Sequence, residues 1–216
     1  MNDRRTGKFE SVARQSQLSI TVILENVHDS LNIGAILRTS DSIGIRKIYV
    51  INTSSDKKYN DLVLGKRSSM GTRKWIDVEY YKDLDSCVAA VRQKYDKIIG
   101  TAMSGEAVSY FEIDYTGSVA IMLGNEHEGL SEKAMAHCDS LIYIPQVGMA
   151  ESLNVSAATA IILYEAFRQR HLAGKYSHTP DIDETQSKEL LSKFHDNVYD
   201  RTRNEKKFRL KPIDKT

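Results

Sequence analysis

Three short stretches of this 216-residue chain place polar side chains where an apolar segment gives way to a helical pattern. They read N-I-G-A-I-L-R-T at residues 32–39, G-N-E-H-E-G-L at 124–130, and P-Q-V-G-M-A-E-S-L-N-V-S at 145–156. In parallel α/β sheets, ligands bind where strands end and helices begin. The amides, guanidinium and carboxylates of these stretches could therefore meet at one site, where they would supply hydrogen bonds and charge to a ligand.

Taken singly, these residues leave two interpretations open. Arg38 lies in an otherwise apolar helical pattern, so its charge needs a partner, either a surface carboxylate or the phosphate or carboxylate of a ligand. Asn32 alone is more often a helix cap than a ligand-binding residue. Glu126 and Glu128 alone are more often exposed loop residues, so a site is indicated only by the combination of the three stretches.

Apolar segments and helical patterns alternate along most of the chain. This alternation predicts an α/β fold in which a parallel sheet is covered by helices on both faces. We expect Asn32 to cap the first helix and Gly44 to end it, and Ser152 and Asn154 to serve as N-cap and first-turn residues of the last helix. The predicted strands are 20–25, 47–51, 74–80, 97–103, 119–123 and 141–145, and the predicted helices are 33–43, 82–95, 131–137 and 152–170.

Several common chemistries leave no trace in the sequence. There is no glycine-rich nucleotide fingerprint, P-loop or nucleophile elbow, and the six histidines show no metal-ligand spacing, so we expect no metal. Cys87 and Cys138 lack redox or metal spacing, which fits a reducing cytoplasm. The chain opens on polar residues, and its longest apolar stretch, 157–163, is too short to span a bilayer. These features predict a cytoplasmic protein that does not enter a membrane.

The net charge of +1 is unevenly distributed along the chain. Residues 1–19 hold four basic and two acidic side chains, residues 168–216 hold twelve and eight, and the segment between them holds 14 and 19. Basic ends on an acidic body are typical of a protein that binds a polyanion. A solvated and partly disordered tail explains the same composition equally well.

Taken together, the three stretches resemble the three motifs of the SpoU/TrmH family of SPOUT-class RNA 2′-O-ribose methyltransferases. The matching patterns are N-x-G-A-x-x-R-T, G-N-E-x-x-G-L and P-x-x-G-M-x-x-S-L-N-V-S, and the resemblance runs in order from about residue 20 to 170. The pattern S-x-G-x-x-K-W at 69–75 and the stretch F-E-I-D-Y at 111–115 are similar to the TrmH branch, which methylates guanosine 18 in the D-loop of tRNA.

The resemblance implies a SPOUT-type α/β fold whose C-terminal segment forms a deep trefoil knot. It also implies S-adenosylmethionine as cofactor, tRNA as substrate, and a homodimer with the final domain helix in its interface. The chain would divide into an N-terminal RNA-binding arm (1–19), a methyltransferase domain (20–171) and a basic C-terminal RNA-binding tail (172–216).

The resemblance also assigns roles to individual positions. Arg38 would be the central catalytic residue, clamping a phosphate and stabilising the developing alkoxide, with Asn32 and Asn154 holding Arg38 and the ribose. Glu126 would orient groups by hydrogen bonding, and Ser152 would cap the helix beside the cofactor. The implied cofactor contacts are Thr101, Gly124, Ile144, Leu153 and, more weakly, Met149; the implied RNA contacts are Arg4, Arg5, Lys66, Arg67, Arg73, Arg168 and the basic tail.

Three alternatives remain at this stage. The core motifs are shared with enzymes that methylate ribosomal RNA or another tRNA position. A catalytically silent RNA-binding factor on the same fold is a second alternative, although it would have no physical need for the full polar set. A small-molecule methyltransferase is a third, but it leaves the basic ends unexplained.

Overall fold

A seven-stranded sheet forms the centre of the computed structural model, which describes residues 3–65, 71–205 and 207–213. Numbered in chain order, the strands are β1 (Ile20–Glu25), β2 (Lys47–Ile51), β3 (Leu62–Gly65), β4 (Asp77–Tyr81), β5 (Lys97–Thr101), β6 (Val108–Ser109), β7 (Val119–Leu123), β8 (Ser140–Tyr143) and β9 (Lys207–Leu210). The sheet order is β4-β2-β1-β7-β5-β8-β6, and every pairing in it is parallel. β3 and β9 form a separate antiparallel pair.

The central strands are apolar on both faces because both faces are covered. Every residue of β1 and β7 is buried, and successive residues of β1 enter different cores: Val22 and Leu24 belong to one cluster and Ile23 to the other. The predicted fold class, a parallel sheet with helices on both faces, is confirmed. The trefoil knot stays a prediction.

Two helices cover each face of the sheet. Apolar residues of α2 and α5 complete the cluster that contains Val22, and those of α3 and α4 complete the cluster that contains Ile23. The described helices are α1 (Asp3–Arg14), α2 (Ser30–Ser42), α3 (Leu84–Arg92), α4 (Glu132–Ala136), α5 (Val155–Leu172), α6 (Glu184–Tyr199) and α7 (Arg201–Asn204). None of them is both long and apolar enough to cross a membrane.

The starts of two helices differ from the prediction in a way that matters for function. α2 begins at Ser30 because the side chain of Asp29 accepts a hydrogen bond from the amide of Leu31 at 2.8 Å. Asn32 is therefore not the cap, and its side chain is available to other groups. At α5 the cap is Asn154, which accepts from the amide of Ser156 at 2.9 Å, so the capping role given to Ser152 is wrong.

Other boundaries shift by a few residues, each for a local reason. The predicted strand 74–80 begins only at Asp77, because a 3-10 turn occupies Thr72–Lys74 after Gly71, whose φ is +84°. The predicted helix 82–95 begins at Leu84, after the cap Asp83, and ends at Arg92. The strand predicted for 97–103 ends at Thr101, and that predicted for 141–145 runs from Ser140 to Tyr143.

The two ends of the chain pack against each other. Phe9 of α1 and Phe194 of α6 have ring centroids 5.9 Å apart, and Trp75 lies within 5.9 Å of both rings. Further on, β9 pairs with β3, and the amide of Ile213 donates to the carbonyl of Tyr80. Helices and a strand thus occupy much of the segment whose composition alone also allowed a partly disordered tail.

Candidate active site

The polar stretches meet at one edge of the sheet, where β1, β5, β7 and β8 end. The loops that follow β5, β7 and β8 and the start of α5 line a cleft of about 660 Å³. Parallel strands bring their carboxyl ends to the same edge, which is why segments far apart in sequence reach this cleft. Its described wall includes four of the five predicted cofactor contacts, namely Thr101, Gly124, Ile144 and Leu153.

A chain of hydrogen bonds joins the three motifs beside this cleft. The side-chain amide of Asn32 donates to Oε1 of Glu126 at 2.6 Å, and that of Asn154 donates to Oδ1 of Asn32 at 3.1 Å. Oδ1 of Asn154 accepts from both the amide and the hydroxyl of Ser156, at 2.9 and 2.6 Å. Because a carboxylate only accepts, the whole row of amides has one orientation. Asn32, Glu126 and Asn154 therefore form one preorganised unit.

The loop that carries Glu126 is held by its neighbour Asn125. The side chain of Asn125 accepts from the amide of His127 at 2.8 Å and donates to the carbonyl of Asn26 at 2.8 Å. Its backbone forms two hydrogen bonds with Gly129, whose φ of +70° turns the chain back. Asn125 thus fixes the loop shape that points Glu126 at Asn32. Its position at a strand junction could have indicated Asn125, but it is not among the site residues predicted from the sequence.

Arg38 stands apart from this unit. It lies on α2 beyond Asn32, is exposed, and makes no hydrogen bond or ion pair within the described part of the chain. The expected contacts from Asn32 and Asn154 to Arg38 are therefore not present, because those amides bond to each other and to Glu126. With no partner among the described residues, this guanidinium keeps all five N–H donors for an external anion.

The chemistry of the cleft fits S-adenosylmethionine. The described lining contains no lysine or arginine, but it does contain Glu126, Glu128 and Glu151 together with apolar walls from Leu123 and Ile142. A phosphate-bearing nucleotide would need cationic or glycine-nest donors, whereas a sulfonium compound with an ammonium group is compatible with carboxylates and apolar walls. Ser152 also lines the cleft, but Met149 lies outside its lining and its side chain is fully exposed.

Cysteine chemistry has no support at this edge. Cys138 Sγ donates to the carbonyl of Ala134 at 3.3 Å, and burial raises the pKa of its thiol to about 11. Burial also raises the pKa of the Cys87 thiol far above its ordinary range. Neither thiol is a nucleophile near neutral pH, since the thiolate is the reactive form.

Gly124 is required where β7 turns into the Glu126 loop. A Cβ atom at this position would overlap the carbonyl group of Gly129 and the amide of Leu130. We expect Gly124→Ala to displace the loop and to lower S-adenosylmethionine affinity roughly 5- to 150-fold, because a forced backbone shift costs about 1 to 3 kcal/mol. Isothermal titration with the cofactor measures this, and Gly105→Ala, where a Cβ meets open space, is the control. Unchanged affinity in Gly124→Ala would contradict the close approach.

The predicted RNA contacts divide into three groups. Arg4, Arg5 and Arg168 are exposed, although Arg168 also forms an ion pair with Glu165 at 2.8 Å. Arg73 is buried, and its guanidinium donates to the backbone carbonyls of residues 64, 203 and 205. Arg73 therefore anchors the tail and is not accessible to a phosphate, which corrects its assignment. Lys66 and Arg67 lie outside the described residues.

Comparison with known proteins agrees with this geometry. Residues 19–164 match the model of the SpoU rRNA Methylase family. A tRNA (guanosine(18)-2′-O)-methyltransferase from Thermus thermophilus is 38% identical over 182 residues, which cover 84% of this chain and 90% of the relative.

Solved structures give the same result. The A. aeolicus TrmH/SpoU tRNA modifying enzyme has a TM-score of 0.81 and 32% identity over 91% of this chain and 98% of its own. The SpoU methyltransferase AviRb from Streptomyces viridochromogenes, solved in complex with the cofactor AdoMet, has a TM-score of 0.62 and 29% identity over 74% of this chain and 62% of its own.

Proposed function

The chain belongs to the SpoU rRNA Methylase family, and we propose that it transfers a methyl group from S-adenosylmethionine to the ribose 2′-hydroxyl of guanosine 18 in tRNA. The observation that carries this function is the hydrogen-bonded unit of Asn32, Glu126 and Asn154 beside a cleft that fits the cofactor. Three motifs whose residues lie up to 122 positions apart in the chain are joined there into one polar surface, as positioning a ribose requires.

The bound cofactor supplies an electrophilic methyl group, so this chain has only to place the hydroxyl and ease the loss of its proton. Glu126 Oε1 is occupied by Asn32, which leaves Oε2 to accept a hydrogen bond from the ribose. Asn32 and Asn154 each keep one amide N–H for a ribose oxygen, because each uses only one in the unit. These three side chains orient the sugar.

Arg38 supplies the charge. Its guanidinium stays protonated, so it cannot act as a general base and acts instead on negative charge. It binds the phosphate next to the target ribose and stabilises the alkoxide that develops as the 2′-hydroxyl proton passes to solvent water. Ser152 contributes to the cleft wall beside the cofactor.

The test is methyl transfer from labelled S-adenosylmethionine to unmodified bulk tRNA, with the product mapped by nuclease digestion and mass analysis. We expect 2′-O-methylguanosine at position 18 of the D-loop. A tRNA that already carries this methyl group is the matched control and should accept none. Transfer to ribosomal RNA alone would overturn the substrate, and cofactor binding without transfer to either RNA would favour an RNA-binding factor.

We also propose that the basic ends bind the tRNA body. Residues 1–19 and 172–216 would serve as an N-terminal arm and a C-terminal tail around the methyltransferase domain, 20–171. Arg4, Arg5 and Arg168 are exposed, as phosphate contacts need to be, and so are Lys207, Arg209 and Lys211 in the tail. Lys66 and Arg67 belong to the same proposal by sequence.

Tail charges can be tested without removing the tail. Deleting residues 201–216 would also strip buried Arg73 of two carbonyl acceptors and remove β9. We expect alanine at Lys207, Arg209 and Lys211 to weaken tRNA binding and to lower the slope of log K against log salt by about 2 to 3. Alanine at Lys94, Lys97 and Lys133, which are exposed elsewhere, is the equal-charge control. Identical slopes in both triple variants would contradict a specific role of the tail.

We further propose a homodimer that uses the faces of α2 and α5. Leu31 and Tyr164 are 65% and 52% exposed, which is unusual for large apolar side chains on neighbouring helices. Light scattering of the full chain measures its mass in solution. A cytoplasmic location completes the proposal, because both cysteines are free thiols, as a reducing compartment requires.

A further inference from the structure

A stacked pair of aromatic rings lies beside the active-site edge and has no part in the mechanism above. The ring of His28 stacks on that of Tyr59, with centroids 4.3 Å apart and planes 18° from parallel. Tyr59 is half-buried and covers one face of the His28 ring, whereas His28 as a whole is exposed to solvent. We call these two rings the stacking platform.

Hydrogen bonds from neighbouring side chains hold both residues of the stacking platform in place. The carbonyl of Tyr59 accepts hydrogen bonds from the hydroxyl of Tyr80 and from Nζ of Lys82. Buried Asn52 accepts from the amide of Ser54 at 3.0 Å, which turns its amide nitrogen toward Nδ1 of His28 at 3.1 Å. In the neutral ring Nδ1 is then the acceptor, and Nε2 carries the hydrogen toward solvent.

The stacking platform is tied to the catalytic unit by the backbone. His28 directly precedes Asp29, the cap of α2, and Asn32 follows in the first turn, so the Cα atoms of His28 and Asn32 lie at most about 15 Å apart. Asn26, in the same loop, receives the side-chain hydrogen bond from Asn125 that fixes the Glu126 loop. A nucleotide next to the target ribose can therefore reach His28.

Cations accompany the rings. Nζ of Lys58 lies 4.6 Å from the centroid of the Tyr59 ring, and Lys57 is exposed on the same 3-10 turn. Lys57 makes no ion pair with any residue that the structure describes. Nζ of Lys58 also pairs with the exposed carboxylate of Asp56 at 3.2 Å, so Lys57 is the less engaged of the two cations. Ammonium groups beside aromatic faces are how proteins bind unstacked bases and their phosphates.

From these contacts we propose that the stacking platform binds the base of a nucleotide flanking the methylated one, with His28 as the stacking surface and Lys57 and Lys58 near its phosphate. The proposal rests on RNA being the substrate, as argued above. It assigns to His28 a role in binding the unpaired conformation of the substrate loop. A stack that served only to stabilise the loop would not need His28 to be exposed.

The test compares His28→Ala with His28→Phe in the full-length protein, using tRNA binding in the presence of S-adenosylhomocysteine so that no turnover is needed. We expect His28→Ala to weaken tRNA binding about tenfold, as loss of one stacked base does, and His28→Phe to restore affinity to within about threefold. S-adenosylmethionine affinity and kcat at saturating tRNA should not change. His178→Ala, an exposed histidine after α5, is the matched control.

A second measurement identifies the base. A tRNA lacking the base on the 5′ or the 3′ side of the target should lose about tenfold in affinity for the wild-type protein at one of the two positions. It should lose nothing further with His28→Ala, because the interaction is already gone. Equal losses in both proteins, or wild-type affinity in His28→Ala, would overturn the stacking platform.

The stacking platform and the proposed function can be rejected independently of each other. Failure of the wild-type protein to methylate tRNA, with tRNA still bound, would reject the proposed transfer and leave the binding comparison valid. Normal methylation with unchanged binding by His28→Ala would reject the stacking platform alone. A wild-type protein that binds no tRNA would overturn both.

Discussion

Replacing Arg38 by alanine is expected to lower kcat for tRNA methylation by about 10³-fold while S-adenosylmethionine binds as before. Arg38 is exposed and carries the only charge assigned to the alkoxide, and loss of one preorganised donor to a developing oxyanion costs 10²- to 10³-fold. The residue makes no described side-chain bond, so its removal leaves the fold intact. Single-turnover methylation at saturating tRNA, with cofactor affinity measured in parallel, gives the result.

Two further variants sharpen this prediction. Arg38→Lys keeps the charge but loses the planar fork, so we expect it to recover only a small part of the activity. Near-normal activity in Arg38→Lys would show that a point charge suffices. Arg92→Ala is the control. It removes an exposed guanidinium that pairs with Asp139 on the face of the sheet opposite to α2, and it should leave kcat unchanged.

The second large effect concerns stability. Arg170 is fully buried on α5 and donates to Gln17, Ser19 and Asp181 side chains as well as to the carbonyls of Tyr115 and Gly117. We expect Arg170→Met to lower the free energy of unfolding by about 3 to 5 kcal/mol, because it leaves buried Asp181 with only the longer contact to Lys175, at 3.8 Å. For a chain of this length that corresponds to a fall in Tm of about 10 °C, measurable by calorimetry.

The controls for Arg170 lie on the same helix and in the same ion pair. Arg168 is 60% exposed in its pair with Glu165, so Arg168→Ala should change stability by less than about 1 kcal/mol. Combining Arg170→Met with Asp181→Leu removes both charges and should recover part of the loss. Equal stability of Arg170→Met and Arg168→Ala would contradict the role of Arg170 in joining the start of β1 to the segment after α5.

Six of the seven strands of the sheet could be predicted from the sequence in their chain order, whereas the two-residue β6 and the β3–β9 pair could not. β1, β2 and β7 were predicted to the residue, because buried parallel strands are apolar runs whose ends are marked by polar and glycine residues. The family resemblance also identified the cleft: Thr101, Gly124, Ile144, Leu153 and Ser152 all line it. Local sequence patterns are enough to predict these strands and cleft residues, because each pattern involves only a few adjacent residues.

The contacts of the individual polar side chains could not be predicted from the sequence and follow from the tertiary fold. Asn32 has the composition of a cap, yet Asp29 takes that role, and this frees Asn32 for Glu126, 94 positions away. Arg73 has the charge of an RNA contact, yet the carbonyls of residues 64, 203 and 205 enclose its guanidinium. A hydrogen bond depends on distance and orientation between distant segments, and neither quantity is encoded in residue type.

The two basic ends of the chain also differ in what composition predicts and what the structure shows. Composition marked residues 1–19 and 172–216 as segments that could bind a polyanion, but the packing of Phe9 on Phe194 gives them a shared apolar core. That core lies where apolar side chains about one helical turn apart on α1 pack against those of α6. The sequence determines which chemical groups are present in this protein, and the packing around the sheet determines which of those groups contact one another.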